Sequence, residues 1–247
     1  MISGYPHDAD GMLEVACASI EQQVSRPVLS KVVSLGGFSG PRAEKYLNRK
    51  VLDFNPHFVV IQFASTDAQR PVRKGNRPGS SMHAAGTTGS LATPNRDALY
   101  HRREATAFSS LRWAIASLIG RVRKLQPITP LPIHLAAIQQ MAKECRAAGA
   151  MPVVLSPFRY GSRYTQNNAI AYTRALQDLA KAEGFIFIDC MQELSSRTKR
   201  NVLQHDGFHL SQLGHRLIGH AIANAILATL LSEETIERVQ PIIDLVS

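Results

Sequence analysis

Three short apolar runs, separated by stretches of helical periodicity, constrain this chain more than any other feature. They are Phe58-Val59-Val60-Ile61-Gln62-Phe63, Met151-Pro152-Val153-Val154-Leu155-Ser156 and Phe185-Ile186-Phe187-Ile188-Asp189. A strand with one wet face alternates apolar and polar residues, whereas a near-continuous run is expected of a strand covered on both faces of a parallel sheet. Between the runs, Leu135, Ile138, Met141, Ala142 and Cys145 share a helical face in a segment that stops at Gly149. Tyr172, Leu176, Leu179 and Ala180 do the same in a segment that stops at Gly184. Glycine just past a helix and just before a strand, seen twice, is a βαβ pattern. Right-handed crossovers then set helices on both faces of the sheet. Residues 28–35, rich in β-branched side chains and ending at Gly36-Gly37, predict a further strand. Residues 41–48, with Pro41 in the first turn, predict a short helix, and roughly 212–231 a long one. The expected fold class is α/β, three layers (α/β/α) around a central parallel sheet, in a single domain over residues 1–247.

One region breaks this rhythm. Residues 68–100 are rich in Gly, Ser, Pro, Thr and Arg, too long for an ordinary strand-to-helix loop, and read as an irregular insertion extending to about residue 125. Its last part, 109–125, is amphipathic and basic, with Trp113, Ile115, Leu118 and Val122 on one side: a lid helix, or one that packs the insertion down. Charge is concentrated here as well. The net charge is +9, and between Arg70 and Arg103 seven Lys/Arg residues stand against the single acid Asp97, so this segment carries +6 of it. Such a segment is either a solvated excursion or an attractor of phosphates, anionic polysaccharide or an acidic surface. Aromatic interleaving, zinc spacing and a helix-turn-helix pattern are all missing, which argues against sequence-specific nucleic-acid binding.

The three cysteines, Cys17, Cys145 and Cys190, have no metal-ligand spacing and read as reduced, mostly buried thiols. No signal peptide is visible and no apolar stretch is long enough to span a bilayer, so a cytoplasmic location is expected, unless a misplaced start hides a leader. Nothing in the sequence sets an oligomeric state.

Ligands of open α/β sheets bind at the carboxyl ends of the strands, and three groups fall there. Gly37-Phe38-Ser39-Gly40 follows the 28–35 segment and can offer a backbone N–H to a developing oxyanion. Ala64-Ser65-Thr66-Asp67 follows the first apolar run, with Asp67 a candidate substrate-binding residue. After the last run comes His205-Asp206-Gly207-Phe208-His209-Leu210-Ser211, whose Asp-x-x-His spacing sets a carboxylate beside an imidazole in a loop before a helix. That is the orienting half of a proton relay for a hydroxyl nucleophile. Each group has a plainer reading: turn glycines, a capped turn, and an N-cap Asp with a surface His.

Together these blocks resemble the SGNH (GDSL-type) hydrolases, three-layer flavodoxin-like proteins that cleave esters with a Ser-His-Asp arrangement. The resemblance runs from about residue 28 to 230. Its last block, Asp-x-x-His, is matched closely by Asp206 and His209, with Gly214-His215 in the next turn. The second is matched at Gly37 to Gly40. The third, Gly-x-Asn-Asp, sits where this chain has Ala64-Ser65-Thr66-Asp67, so the oxyanion-hole Asn is replaced by Thr66. The first, Gly-Asp-Ser, is absent in that form, and Ser3 in Met1-Ile2-Ser3-Gly4 is the nucleophile candidate. The alternatives are that Ser3 has no role, or that residues upstream complete the block.

The resemblance implies a serine esterase with Ser3, Asp206 and His209 as catalytic residues and Gly37 and Thr66 in the oxyanion hole. No metal or other cofactor is called for. The substrate would be a small-molecule or glycan ester, with acetyl or another acyl group on a carbohydrate foremost. A polysaccharide O-acyltransferase shares the acyl-enzyme, and a non-catalytic domain binding a glycan or polyanion shares the fold. Retention of both Asp206 and His209 favours an enzyme over the binder. The remaining histidines, His134, His215 and His220 among them, are expected to pack or to lie on the surface.

Overall fold

The computed structural model describes residues 11–33, 35, 38–69, 126–158, 163–204 and 209–231. Helix α1 (Met12–Val24) buries Met12, Ala16 and Ile20 at four-residue spacing. Next in the chain come α2 (Gly40–Lys50), with Pro in its first turn, and a 3-10 turn (Leu52–Phe54). Strand β1 (Phe58–Ile61) runs into the one-turn helix α3 (Ala64–Asp67). Then follow α4 (Leu131–Ala147), β2 (Met151–Leu155), α5 (Arg163–Glu183) and β3 (Ile186–Ile188). Two short helices, α6 (Cys190–Glu193) and α7 (Lys199–Val202), lead to α8 (Gln212–Leu230).

The strands pair in the order β1-β2-β3, all parallel, with Val60 opposite Val153 and Leu155 opposite Ile188. Side chains alternate across a strand, so the two faces feed two cores. Val60, Val153, Leu155 and Ile188 pack with Met12, Ala16 and Ile20 of α1 and Ile218, Ile222 and Ile226 of α8. Val59, Ile61 and Val154 pack with Ala43 and Leu47 of α2, Ile138 and Met141 of α4, and Leu176 of α5. The result is a three-layer α/β/α arrangement, and coverage of both faces explains the near-continuous apolar runs. On the first face α1 and α8 approach closely at Gly219, where a β-carbon would lie 2.7 Å from both the Met12 carbonyl oxygen and Val15 Cβ.

All three apolar runs form the strands. Helices α4 and α5 end at Gly149 and Gly184, whose φ values of +78° and +68° suit a residue without a β-carbon. Two local readings differ from the structure. Helix α1 was not expected from the sequence. Residues 28–33 and 35, expected as a strand, form no strand and join no ladder, and Leu29 is 83% exposed. β-branched residues favour extended backbone locally, but a strand also needs a partner's N–H and C=O groups. Among the described residues β1 is an edge strand. The amphipathic 109–125 segment lies outside the described residues, as does all but the start of the insertion.

Candidate active site

The carboxyl ends of the strands are bonded to one another. The Ser65 hydroxyl, just past β1, accepts the Phe158 N–H beyond β2 at 2.9 Å. The Ser156 hydroxyl at the end of β2 accepts the Cys190 N–H beyond β3 at 2.9 Å. Asp189 caps α6 by accepting the N–H groups of Met191 and Gln192 at 3.0 and 3.1 Å. The Asn168 amide of α5 donates to the Ala68 carbonyl at 3.1 Å. These bonds satisfy buried polar groups and fix strand-end loops that would otherwise be free to move separately.

Thr66 and Asp67 lie in α3, Thr66 half-buried and Asp67 wholly buried. Expected to meet substrate, Asp67 is instead turned inward. Its Oδ2 accepts the Gly40 N–H at 2.9 Å and lies 2.6 Å from His134 Nδ1, and its Oδ1 accepts the Thr129 hydroxyl at 2.6 Å. A carboxylate only accepts, so His134 Nδ1 is the donor of that pair. The Tyr172 hydroxyl donates to the Thr129 carbonyl, and its ring lies 5.3 Å from the His134 ring, centroid to centroid. Burial, and secondly the nearby Asp67 charge, push the Tyr172 phenol above its ordinary pKa, which suits a permanent donor. Main-chain bonds complete the knot: Ile128 N–H to the Gln69 carbonyl at 2.7 Å, and Thr129 N–H to the Asp67 carbonyl at 3.2 Å.

The loop before α8 holds His209. Leu203 and Leu210 form an antiparallel bridge. Beside it, Gln204 N–H donates to the His209 carbonyl at 2.8 Å and Gln204 Nε2 to the Leu210 carbonyl at 3.0 Å. Ser211 then caps α8, its hydroxyl accepting the Gly214 N–H at 3.2 Å and donating to the Asn201 carbonyl at 2.5 Å. The half-buried His209 is therefore set on a closed, bonded base, and the adjoining Leu210 lies in the same core cluster as Phe158. His209 also reaches His215 electrostatically. Burial is the main cause of the lowered His215 pKa, Glu14 opposes it, and His209 adds to it.

Of the site residues expected from the sequence, Thr66, Asp67 and His209 are described, and Ser3, Gly37 and Asp206 lie outside the described residues. Among the described residues no group of three or more His, Cys, Asp or Glu side chains is arranged to hold a metal ion. Sequence reasoning missed the part played by His134, which is wholly buried and bound to Asp67. A signal existed: His134 is the polar member of the face shared by Ile138, Met141, Ala142 and Cys145, and a polar group there needs a buried partner.

The chain is thus a three-layer parallel α/β protein with polar loops gathered at the strand ends, an architecture that hosts many chemistries. Residues 16–217 match the model of the GDSL-like lipase/acylhydrolase family, and the chain belongs to that family of ester-hydrolysing enzymes. Solved structures agree on the fold. A G-D-S-L family protein from Desulfitobacterium hafniense DCB-2 has 15% identity and a TM-score of 0.54, covering 90% of this chain and 92% of its own. The lipase/acylhydrolase from Enterococcus faecalis has 17% identity and a TM-score of 0.52, covering 87% and 86%. Axe2, an acetylxylan esterase from Geobacillus stearothermophilus, has 14% identity and a TM-score of 0.56, covering 87% and 80%. No curated protein matches the chain. No helix among the described residues is long and apolar enough to cross a membrane.

Proposed function

We propose that the protein is a serine esterase that removes an acyl group, acetyl in the simplest case, from a carbohydrate hydroxyl. The Ser3 hydroxyl attacks the ester carbonyl while His209 takes its proton, and Asp206 orients the imidazole and stabilises its charged form. Ser3 N–H, Gly37 N–H and the Thr66 hydroxyl hold the oxyanion. Collapse of the tetrahedral intermediate breaks the bond to the alcohol oxygen, which takes the proton from His209. Water, activated by the same imidazole, then attacks the acyl-serine and releases the carboxylic acid. The observation that carries this reading is the Asp67–Gly40 hydrogen bond, because it joins the second-block turn to the third-block loop. Those two segments supply Gly37 and Thr66. The carbohydrate substrate is supported by the likeness to an acetylxylan esterase, and the +6 charge between Arg70 and Arg103 favours a glycan that carries anionic groups.

The test is hydrolysis of p-nitrophenyl acetate and acetate release from acetylated xylo-oligosaccharides by wild type, Ser3→Ala and His209→Ala at equal folded concentration. Loss in both variants is expected. Loss with His209→Ala alone would move the nucleophile away from Ser3. No turnover by the wild type on any ester would overturn the esterase.

A further inference from the structure

The Asp67–His134 pair is a second carboxylate–imidazole couple, and the proposed mechanism does not use it. Both side chains are wholly buried, His134 Nδ1 donates at 2.6 Å, and Nε2 finds no partner among the described residues. A buried polar pair with one nitrogen unmatched is a poor way to stabilise a core, since apolar side chains of similar volume are often at least as good. Its position suggests what it does instead. Asp67 immediately follows Thr66, its Oδ2 holds the N–H of Gly40 in the second-block turn, and its Oδ1 holds the Thr129 hydroxyl. Gly40 is moulded to this contact: a β-carbon there would lie 3.0 Å from Asp67 Oδ2 and 3.5 Å from His134 Nδ1.

We propose that His134 is a positioning residue for ester cleavage: by donating to Asp67 it fixes the carboxylate that sets the second-block turn against the third-block loop. The proposal rests on the esterase reading, because the separation of those segments matters only if Gly37 and Thr66 share an oxyanion. A carboxylate bonded by Gly40 and Thr129 alone could rotate about its Cβ–Cγ bond. The third donor, rigidly mounted on α4 and packed against Tyr172, removes that freedom. Oxyanion donors act through preorganised geometry, so a loosened separation lowers the rate of the chemical step more than it weakens ground-state binding.

The experiment measures kcat and KM separately on p-nitrophenyl acetate for wild type, His134→Phe, His134→Asn, Thr129→Val, Asp67→Asn and the Asp67→Asn/His134→Phe double variant. Folded fractions are matched by circular dichroism. His134→Phe is expected to lower kcat roughly tenfold to a hundredfold with KM little changed, the scale of an ångström-level misplacement. His134→Asn, which keeps a donor near the Nδ1 position, should return most of the loss. Thr129→Val removes another donor to the same carboxylate and should lower kcat in the same way, which keeps the test open should His134→Phe fold poorly. Because His134 acts through Asp67, adding His134→Phe to Asp67→Asn should cost little more. Unchanged kcat in folded His134→Phe and Thr129→Val, with only the melting temperature lowered, would reduce the pair to a structural feature. Additive losses in the double variant would also overturn the proposal. Wild-type turnover abolished by His209→Ala but untouched by the His134 variants would sink this inference alone. Absence of wild-type turnover would sink the esterase reading and this one with it.

Discussion

Replacing Gly214 with alanine sets helix propensity against close packing. Gly214 lies in the first turn of α8, where alanine would ordinarily be favoured by up to about 1 kcal/mol. The site has no room for it. A β-carbon would stand 2.4 Å from the Val202 carbonyl oxygen and 3.2 Å from both Cβ and Cδ2 of Leu210. The first contact is with backbone, so relief requires α8 and Val202 to separate by most of an ångström. Overpacking of this kind costs about 1–3 kcal/mol. The Val202 carbonyl also accepts the Ser211 N–H at 2.9 Å, and weakening that bond adds about 1 kcal/mol. After the propensity gain is subtracted, a net destabilisation of about 2 kcal/mol is expected, or ~4–8 °C in melting temperature for a domain of this size. Thermal melting followed by circular dichroism measures it. Asn224→Ala, on the exposed face of the same helix, provides the control in which propensity acts alone. Because the same carbonyl anchors the base on which His209 sits, esterase activity should fall in Gly214→Ala even at temperatures where it is fully folded. A Gly214→Ala protein that melts at or above the wild type would refute the close-packing argument.

Thr66→Ala should lower kcat about 10²–10³-fold with KM little changed, as expected when an oxyanion donor is removed, and an unchanged kcat would exclude the hydroxyl from that role. Burial pushes the Cys145 thiol up to about 12 and Cys190 higher still, despite a bond from Ser156 that partly offsets it. Neither should react with a thiol reagent at pH 8 in minutes, both should react once denaturant is added, and rapid native labelling of either would contradict the packing described. Glu183 is held below its ordinary carboxylate pKa, chiefly by the Gln139 amide and then by Arg146, whose Nη2 lies 3.0 Å away, with desolvation opposing. A lowered folded-state pKa means that this contribution is present above the unfolded pKa and is lost as pH falls through the folded one. Melting temperatures of wild type and Glu183→Gln should therefore differ at neutral pH and converge in acid below the ordinary carboxylate range; a gap that persisted there would assign the effect to packing.

The layered parallel fold was legible because its signals are local. Each strand is a contiguous apolar run, and each long helix between strands ends at a glycine whose positive φ is a property of that one residue. Helix α1 was harder to see because its buried stripe, Met12, Ala16 and Ile20, is narrow and lies in a segment with no capping side chain. The 28–35 segment shows the opposite error, since β-branched composition favours extended backbone locally but cannot supply the neighbour that makes a strand. The candidate site divides along the same line. Asp206 and His209 stand three residues apart, so their pairing could be proposed from spacing alone. Asp67 and His134 are 67 positions apart, and Gly40 and Asp67 are 27 apart. Nothing in either neighbourhood announces the partner. The sequence by itself determined which segments become strands and helices, because propensity and periodicity act over a few residues. Only the tertiary structure decided that Asp67 turns inward to bind Gly40, Thr129 and His134, because burying a carboxylate requires donors that distant segments bring together when the layers pack.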